Sequence, residues 1–335
     1  MKNLILITTI FLAFSINAFS QTVTLESAKA AFAAKNYEKA ADEFKTLTKE
    51  AEYKKDAAVW NYLALSYRGL NNDSDALEAI ERAAKLRPDV KNFQLNYATI
   101  LAEAGSRDAL RKLDDILEKY PDWTEAKYLR AKTYASFGEF EDAKKDAQAL
   151  IDKDPKSVNG YVLITEILEN EMNARIIRKR SSPEKEVRFL IQSMEVLNDG
   201  RTACGDCKDR DLFDYYLNIR QLLIDNIPRS DKEIKAIRTS WPTNDPKDHP
   251  PQVIHSAWAR YTNTARERNI TGTVSMIFVY GASGKVEGVI VRRYIGGGLD
   301  ENAIAAVRRT EFVPGVRNGK PVSSVDISER IFRLN

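Results

Sequence analysis

The sequence contains few of the residue types that most often support catalysis or bind metals. Its 335 residues include two histidines and two cysteines. His249 and His255 have no convincing catalytic or metal-binding partner near them in sequence, and two cysteines are too few for a zinc site within one chain. We also find no nucleophile–base pair, phosphate loop or metal-ligand cluster. The sequence therefore predicts a protein that is not an enzyme and binds no cofactor or metal.

An excess of one charge and long apolar runs are also missing from most of the chain. The formal net charge is +3, with 30% charged and 43% hydrophobic residues, which is typical of soluble globular proteins. A balance this close to neutrality does not indicate binding to nucleic acid. Nothing after Ser20 resembles a membrane span, and the chain length predicts two domains.

The N-terminal segment, from Met1 to Ser20, has the pattern of a secretory signal peptide. One early lysine precedes an apolar run, and Ala18, Phe19 and Ser20 form a small-x-small pattern before Gln21. The run is shorter than the roughly 20 residues that a membrane-spanning helix needs. We therefore expect cleavage after Ser20 and a mature protein outside the cytoplasm. The alternative is an uncleaved anchor that holds the protein at the inner membrane.

Residues 22–227 have a helical pattern that repeats with a period of about 34 residues. The spacing of the prolines at 88, 121 and 155 shows the period. Small residues such as Ala64 and Ala76 allow two helices to approach closely, and proline ends the second helix of each pair. This pattern predicts stacked helical hairpins, an all-α solenoid. The best repeats span 57–155, and 158–227 form a divergent hairpin and a capping helix.

The repeats resemble the tetratricopeptide repeat. The residues that carry this resemblance are Trp60, Leu63, Ala64, Tyr67, Ala76, Ile80 and Pro88. Such repeats form a concave face that usually binds a peptide or protein segment. We expect the helices at Asp56–Leu70 and Thr124–Phe137 to line it. The candidate groove residues are Asn61, Arg68, Tyr128 and Lys132, although all four could be ordinary solvated positions.

The two cysteines, Cys204 and Cys207, stand close together in a Cys-Gly-Asp-Cys sequence. In an oxidising compartment this spacing favours a local disulfide between two helices. The alternative is a thiol-redox site, since the sequence resembles the thioredoxin motif. Asp206 replaces the usual proline of that motif, and no strand-helix-strand pattern surrounds it.

The end of the chain is the one region with a strand period. Residues 228–250 are polar and proline-rich, so we expect a linker with a short helix at Asp231–Thr239 and then an extended tether. Residues 251–335 predict the order helix, strand, turn, strand, helix, strand, which is a small α+β domain. The first helix should carry Trp258 and Tyr261 on one face.

Three of its strands are predicted from alternation and turn residues. Val274, Met276 and Phe278 alternate with their neighbours in a buried strand, and the turn at 282–285 leads to a second strand at Val286–Tyr294. The last strand is Val325–Leu334. Its apolar residues change phase after Ile327, which predicts a β-bulge before Phe332.

This region resembles the C-terminal domain of the TonB family. The matching segments are Tyr261–Arg266, Ile270–Val274, Gly284–Val286, Leu299–Ala303, Phe312–Pro314, Gly319–Val322 and Phe332–Leu334. The resemblance implies a three-stranded antiparallel sheet with two helices on one face. Members of this family recruit a periplasmic segment of an outer-membrane transporter by adding it as a strand to the sheet edge.

The resemblance makes the last strand the candidate docking edge. The residues expected to contact a partner there are Val325, Ile327, Arg330, Ile331 and Arg333. The strand could instead only complete the fold, or form an edge between two copies of the chain.

The chain departs from the TonB family in three ways. It has no clear membrane anchor, which argues against a force-transmitting role, and no long proline-rich spacer. Thr262 stands where many members have proline, which says little about function. We therefore expect a periplasmic adaptor of a Gram-negative-type bacterium, with protein partners such as an outer-membrane transporter and a link to TonB-dependent transport. The alternatives are a membrane-anchored TonB-like energy transducer and a periplasmic thiol-redox protein.

Overall fold

The computed structural model describes residues 23–241 and 245–334. The predicted signal peptide at 1–20 lies outside these ranges. Across the described residues, no helix is long and apolar enough to cross a membrane. The chain divides into two units, Met1–Ser106 and Arg107–Asn335.

The first unit consists of helices that pair as hairpins. They are α1 (Leu25–Ala33), α2 (Tyr37–Leu47), α3 (Ala57–Gly69), α4 (Asp73–Leu86) and α5 (Lys91–Glu103). Ala64 on α3 and Ala76 on α4 are fully buried, which allows the two helices to pack closely, as the repeat pattern predicts. The Asp56 carboxylate accepts a hydrogen bond from the Ala58 amide at 2.8 Å and so caps α3.

The second unit continues the helical hairpins and ends in the strand region. Its helices before the strand region are α6 (Asp108–Lys119), α7 (Thr124–Ser136), α8 (Phe140–Lys153), α9 (Val158–Ile177), α10 (Pro183–Cys204), α11 (Arg210–Asn226) and α12 (Asp231–Thr239). Leu163 of α9 is buried in a cluster with the repeat helices, whereas Leu168 and Met172 are buried in the core that includes the terminal sheet. α9 is therefore enclosed on more than one side, and it packs against α8, α10 and the terminal sheet.

The terminal region contains a three-stranded antiparallel sheet, as predicted. Its elements are β1 (Gln252–His255), α13 (Asn263–Glu267), β2 (Gly272–Tyr280), β3 (Val286–Arg293), α14 (Leu299–Arg308), β4 (Glu311–Val313), β5 (Gly315–Arg317), β6 (Lys320–Val322) and β7 (Ser324–Phe332). The sheet order is β3-β2-β7, with β2 in the centre. β1 pairs with β4, and β5 pairs with β6, in two small ribbons.

The expected bulge in the last strand is wrong. β7 pairs with β2 in unbroken register from Ser324 to Phe332. Ile327 and Phe332 point to opposite faces of the sheet, and the Phe332 ring lies 5.6 Å from that of Tyr261. The apolar phase changes because both faces of the sheet are covered, so apolar side chains are needed on each. Register shifts occur instead between β2 and β3.

The expected helix around Trp258 is also wrong. Its sequence forms β1, an irregular segment and the short helix α13. The Thr262 hydroxyl accepts a hydrogen bond from the Ala265 amide at 3.0 Å, so the helix begins only after Thr262. Trp258 is 87% exposed, where the helical pattern placed it on a packed face.

The residues expected as a linker lie against the sheet. α12 occupies the predicted range, and Ser275 of β2 donates a hydrogen bond to its Asp231 at 3.5 Å. Lys235 of α12 lies 3.8 Å from Glu329 of β7. Further along, the Trp241 indole donates to the Val316 carbonyl at 3.1 Å. The repeat helices and the terminal domain therefore share one hydrophobic core in the second unit.

Candidate functional site

β7 forms one edge of the three-stranded sheet, with β2 along its inner side. No other described strand pairs with its outer side. Near its end, residues 256–259 run beside residues 329–332 and enclose a groove of about 370 Å³. Arg330 bridges the groove, because its guanidinium donates to the Ser256 hydroxyl at 2.9 Å. An open edge of this kind presents backbone groups that can pair with an added strand.

The predicted contact residues on β7 differ in accessibility. Val325 and Ile327 are buried on the sheet face that α12 covers. Ile331 is 60% exposed, and Arg333 is exposed just after the strand. Arg330 is half-buried on the opposite face, where burial lowers the pKa of its guanidinium.

Trp258 is the exposed aromatic side chain at this edge, and the sequence analysis did not select it. It lines the same groove as Ile331. The sequence analysis missed Trp258 because the spacing of apolar residues would place it on the buried face of a helix. Thr262, a residue type that favours the N-cap position, is the signal that could have placed the start of the helix after Trp258.

The opposite edge of the sheet, β3, is closed by side chains of α9. The Asn173 amide donates to the Val289 carbonyl at 2.6 Å, and its oxygen accepts from the Val291 amide at 2.9 Å. The Glu169 carboxylate accepts from the Val289 amide at 2.9 Å. These contacts occupy backbone groups that a neighbouring strand would otherwise use. Glu169 and Asn173 fall among apolar residues of α9, and this was the available sequence signal.

Two glutamates lie where α9 meets β3, Glu169 on the helix and Glu287 on the strand. Glu169 is 3% exposed and lies 2.7 Å from the guanidinium of Arg308 on α14. Burial raises the pKa of Glu287 on β3 to about 7, and the nearby Glu166 and Glu169 add to the rise. The cation of Arg220 opposes this shift. Protonation of Glu287 would therefore relieve its repulsion with Glu166 and Glu169.

In the first unit, the predicted groove residues are engaged with a neighbouring helix. Asn61 is buried and accepts a hydrogen bond from the Asn96 amide at 2.8 Å. The Arg68 guanidinium forms two hydrogen bonds of 2.6 Å with Glu103, and these raise its pKa. Both contacts join α3 to α5, so these side chains stabilise the packing of adjacent repeats.

In the second unit, Tyr128 and Lys132 lie one turn apart on α7. The Lys132 ammonium lies 5.5 Å from the centre of the Tyr128 ring and 3.5 Å from Glu166 on α9. Burial raises the pKa of Tyr128 well above its ordinary value. Tyr128 also lines a depression of about 680 Å³ between α7 and the start of α9. These two residues therefore border a surface that a partner segment could reach.

The two cysteines lie close enough to form the local disulfide that their spacing predicts. Cys204 ends α10, Cys207 precedes α11, and their sulfur atoms are within bonding distance. Their Cα atoms are 5.2 Å apart. Among the residues that the structure describes, no group of three or more histidine, cysteine or acidic side chains could hold a metal ion.

The fold and these sites define a class of protein that acts through protein–protein interaction, with helical repeats and a small docking domain. Family comparisons agree with this class. Residues 57–90 and 101–158 match tetratricopeptide repeat families, and residues 259–331 match the Gram-negative bacterial TonB protein C-terminal family. The chain therefore contains tetratricopeptide repeats, followed by a C-terminal domain that matches the TonB type.

Solved structures of repeat proteins are similar to about half of the chain. MamA from Desulfovibrio magneticus RS-1, from residue 41 to its end, is 16% identical with a TM-score of 0.41, and the match covers 52% of this chain and 92% of that chain. YrrB, titled a TPR protein with an unusual peptide-binding site, is 16% identical with a TM-score of 0.39, covering 53% and 87%. The comparison with curated proteins found no match.

Proposed function

We propose that this protein is a periplasmic adaptor that links TonB-dependent outer-membrane transport to a second protein. Its repeats bind one partner, and β7 captures another by strand addition. The observation that carries this proposal is the difference between the two sheet edges. α9 closes β3 through Asn173 and Glu169, whereas β7 lies open.

Strand addition suits β7 because most of the affinity comes from backbone hydrogen bonds. Side chains then select the partner. Ile331 and Trp258 offer exposed apolar surface beside the open edge, and Arg333 adds a positive charge. Val325 and Ile327 hold β7 to the protein's own core and keep the edge in place. A partner segment with an extended conformation and apolar side chains would complement this edge.

The repeat surface supplies the second interaction. Tyr128 and Lys132 border the accessible surface of α7, and Asn61 and Arg68 support the repeats of the first unit. The signal sequence at 1–20 directs the protein out of the cytoplasm in this proposal. There the Cys204–Cys207 pair forms a disulfide that stabilises the turn between α10 and α11.

Site-specific photo-crosslinking tests the edge. A photoreactive amino acid replaces Ile331 in the full chain, and a matched variant carries it at Leu212, which is 45% exposed on α11. In intact cells, position 331 should form an adduct with an outer-membrane transporter, and position 212 should not. Equal adducts at both positions, or none at position 331, would contradict strand addition at β7.

Fractionation separates the adaptor from a membrane-anchored transducer. If the protein is a periplasmic adaptor, the mature chain should begin at Gln21 and should be recovered in the soluble periplasmic fraction. A chain that retains the segment from Met1 to Ser20 and sediments with the inner membrane would favour the transducer instead.

A further inference from the structure

A cleft of about 280 Å³ lies where the repeats meet the terminal domain within the second unit. We call it the junction cleft. The turn between α7 and α8, the end of α9 and one face of α14 line it. Its apolar side chains include Phe137, Phe140, Ala174, Ile177, Ile304 and Ala305. The TonB-type domain supplies the last two, so the cleft exists only when the two modules are docked.

The cleft has the size for one large side chain. Its volume of about 280 Å³ lies just below the roughly 300–1,000 Å³ that is usual for pockets that bind small organic ligands. Phe137, Phe140 and Ile177 supply the apolar part of the lining. Polar side chains such as Asn170 and Glu301 lie beside them. Buried apolar anchors of this kind dominate the affinity of many protein interfaces.

Basic residues lie at the end of α9, on the rim of the junction cleft. Arg178 lines the cleft and is exposed, and Lys179 and Arg180 follow it. The structure shows no ion-pair partner for Arg178 among the described residues. Arg308 is already paired with Glu169, while Glu301 is the acidic residue among those lining the cleft. The basic run outnumbers it, and complementary charge attracts and orients an acidic segment.

We infer that the junction cleft binds a bulky apolar side chain carried by an acidic protein segment. The cleft continues the surface of α7 and α9 that holds Lys132 and Glu166, so this inference rests on the repeats binding a protein partner. It does not depend on strand addition at β7. The docked TonB-type domain forms one wall, and a bound segment would therefore stabilise the docked arrangement.

The test uses the full chain and a fluorescein-labelled peptide with one phenylalanine flanked by two acidic residues on each side. Two control peptides replace the phenylalanine with alanine or the acidic residues with lysine. Fluorescence anisotropy should show saturable binding of the first peptide. Each control peptide should bind at least tenfold more weakly, and added salt should weaken binding of the first.

Two substitutions fill the cleft from opposite walls. Ala305→Trp acts from α14 and Ser136→Trp from α7, and both residues are exposed on their helices. Each should reduce affinity at least tenfold while circular dichroism and the melting temperature stay unchanged. Ala203→Trp is the matched control, because Ala203 is exposed on α10 in the same unit and does not line the cleft.

Charge reversal tests the basic rim. Arg178→Glu should reduce affinity at least threefold, and the control Lys208→Glu, at an exposed position in the loop after α10, should not. Equal binding of the phenylalanine and alanine peptides, unchanged binding to both tryptophan variants, or no saturable binding would overturn the inference. If Tyr128→Ala abolishes binding while both cleft variants bind normally, the repeat surface is a binding site and the junction cleft is not.

Discussion

The side-chain amide of Asn173 on α9 donates a 2.6 Å hydrogen bond to the carbonyl of Val289 on β3. Its oxygen accepts from the Val291 amide at 2.9 Å, so one side chain satisfies two groups on the strand edge. Asn173 is 2% exposed. A repeat helix thus takes the place of a fourth strand beside this sheet.

Replacing Asn173 should weaken the docked arrangement. Asn173→Ala leaves the Val289 carbonyl and the Val291 amide buried without partners, and each such group costs about 1–3 kcal/mol. We expect urea denaturation to show a loss of roughly 2–4 kcal/mol and hydrogen exchange to show reduced protection of the Val291 amide. Asn198→Ala, at an exposed position on α10, is the control. Equal stability of the two variants would argue against the edge-closing role.

Two isoleucines on β7 should respond differently to charge. Ile327 is 9% exposed and faces the side that α12 covers, whereas Ile331 is 60% exposed. Ile327→Lys should cost about 3 kcal/mol or more because it buries a charge, and Ile331→Lys should change stability by no more than about 0.5 kcal/mol. Only Ile331→Lys should weaken partner capture in a folded protein. Similar losses of stability in both variants would contradict the difference in burial between these two positions.

Glu287 should make stability depend on pH near neutrality. Its pKa is about 7 in the folded protein against 4.5 as the ordinary value, so the folded state binds more protons than the unfolded state between these pH values. The unfolding free energy should therefore fall as pH rises from about 4.5 to 7, by up to roughly 3 kcal/mol. Partial exposure of Glu287 reduces this figure.

Glu287→Gln isolates this contribution. The difference in unfolding free energy between the variant and the wild type should change across the same pH window. The control Glu195→Gln, at an exposed position on α10, should give a constant difference. A difference for Glu287→Gln that does not vary with pH would show that its environment does not favour the protonated form.

Reduction of the proposed disulfide should lower the stability of the protein and should not produce thiol-redox activity. A cross-link that closes so short a loop contributes up to about 2 kcal/mol in the chain-entropy account. We expect a reducing agent to lower the melting temperature of the wild type and not that of a double variant, Cys204→Ser with Cys207→Ser. The purified protein should not catalyse insulin reduction. Catalysis would instead support a thiol-redox role for the pair.

Much of the fold was predictable because its signals are local. The spacing of small residues and prolines predicts the helical hairpins. Ala64 and Ala76 are buried, as the repeat pattern requires. The alternating pattern of residues along β2 predicts a strand without any knowledge of the elements that it packs against. The prediction failed at Trp258, where apolar spacing fits a helix but the residues form an exposed segment beside β7.

The candidate sites were less predictable because they depend on contacts between distant residues. The sequence by itself determined the repeat helices and the three strands of the main sheet, and which families they resemble. Only the tertiary structure decided that β3 is closed, that Ile327 is buried and that the two modules form a cleft. Asn173 and Val289 are 116 residues apart, and no local pattern reports such a contact. The covered second face of the sheet also explains why the apolar phase of β7 changes without a bulge.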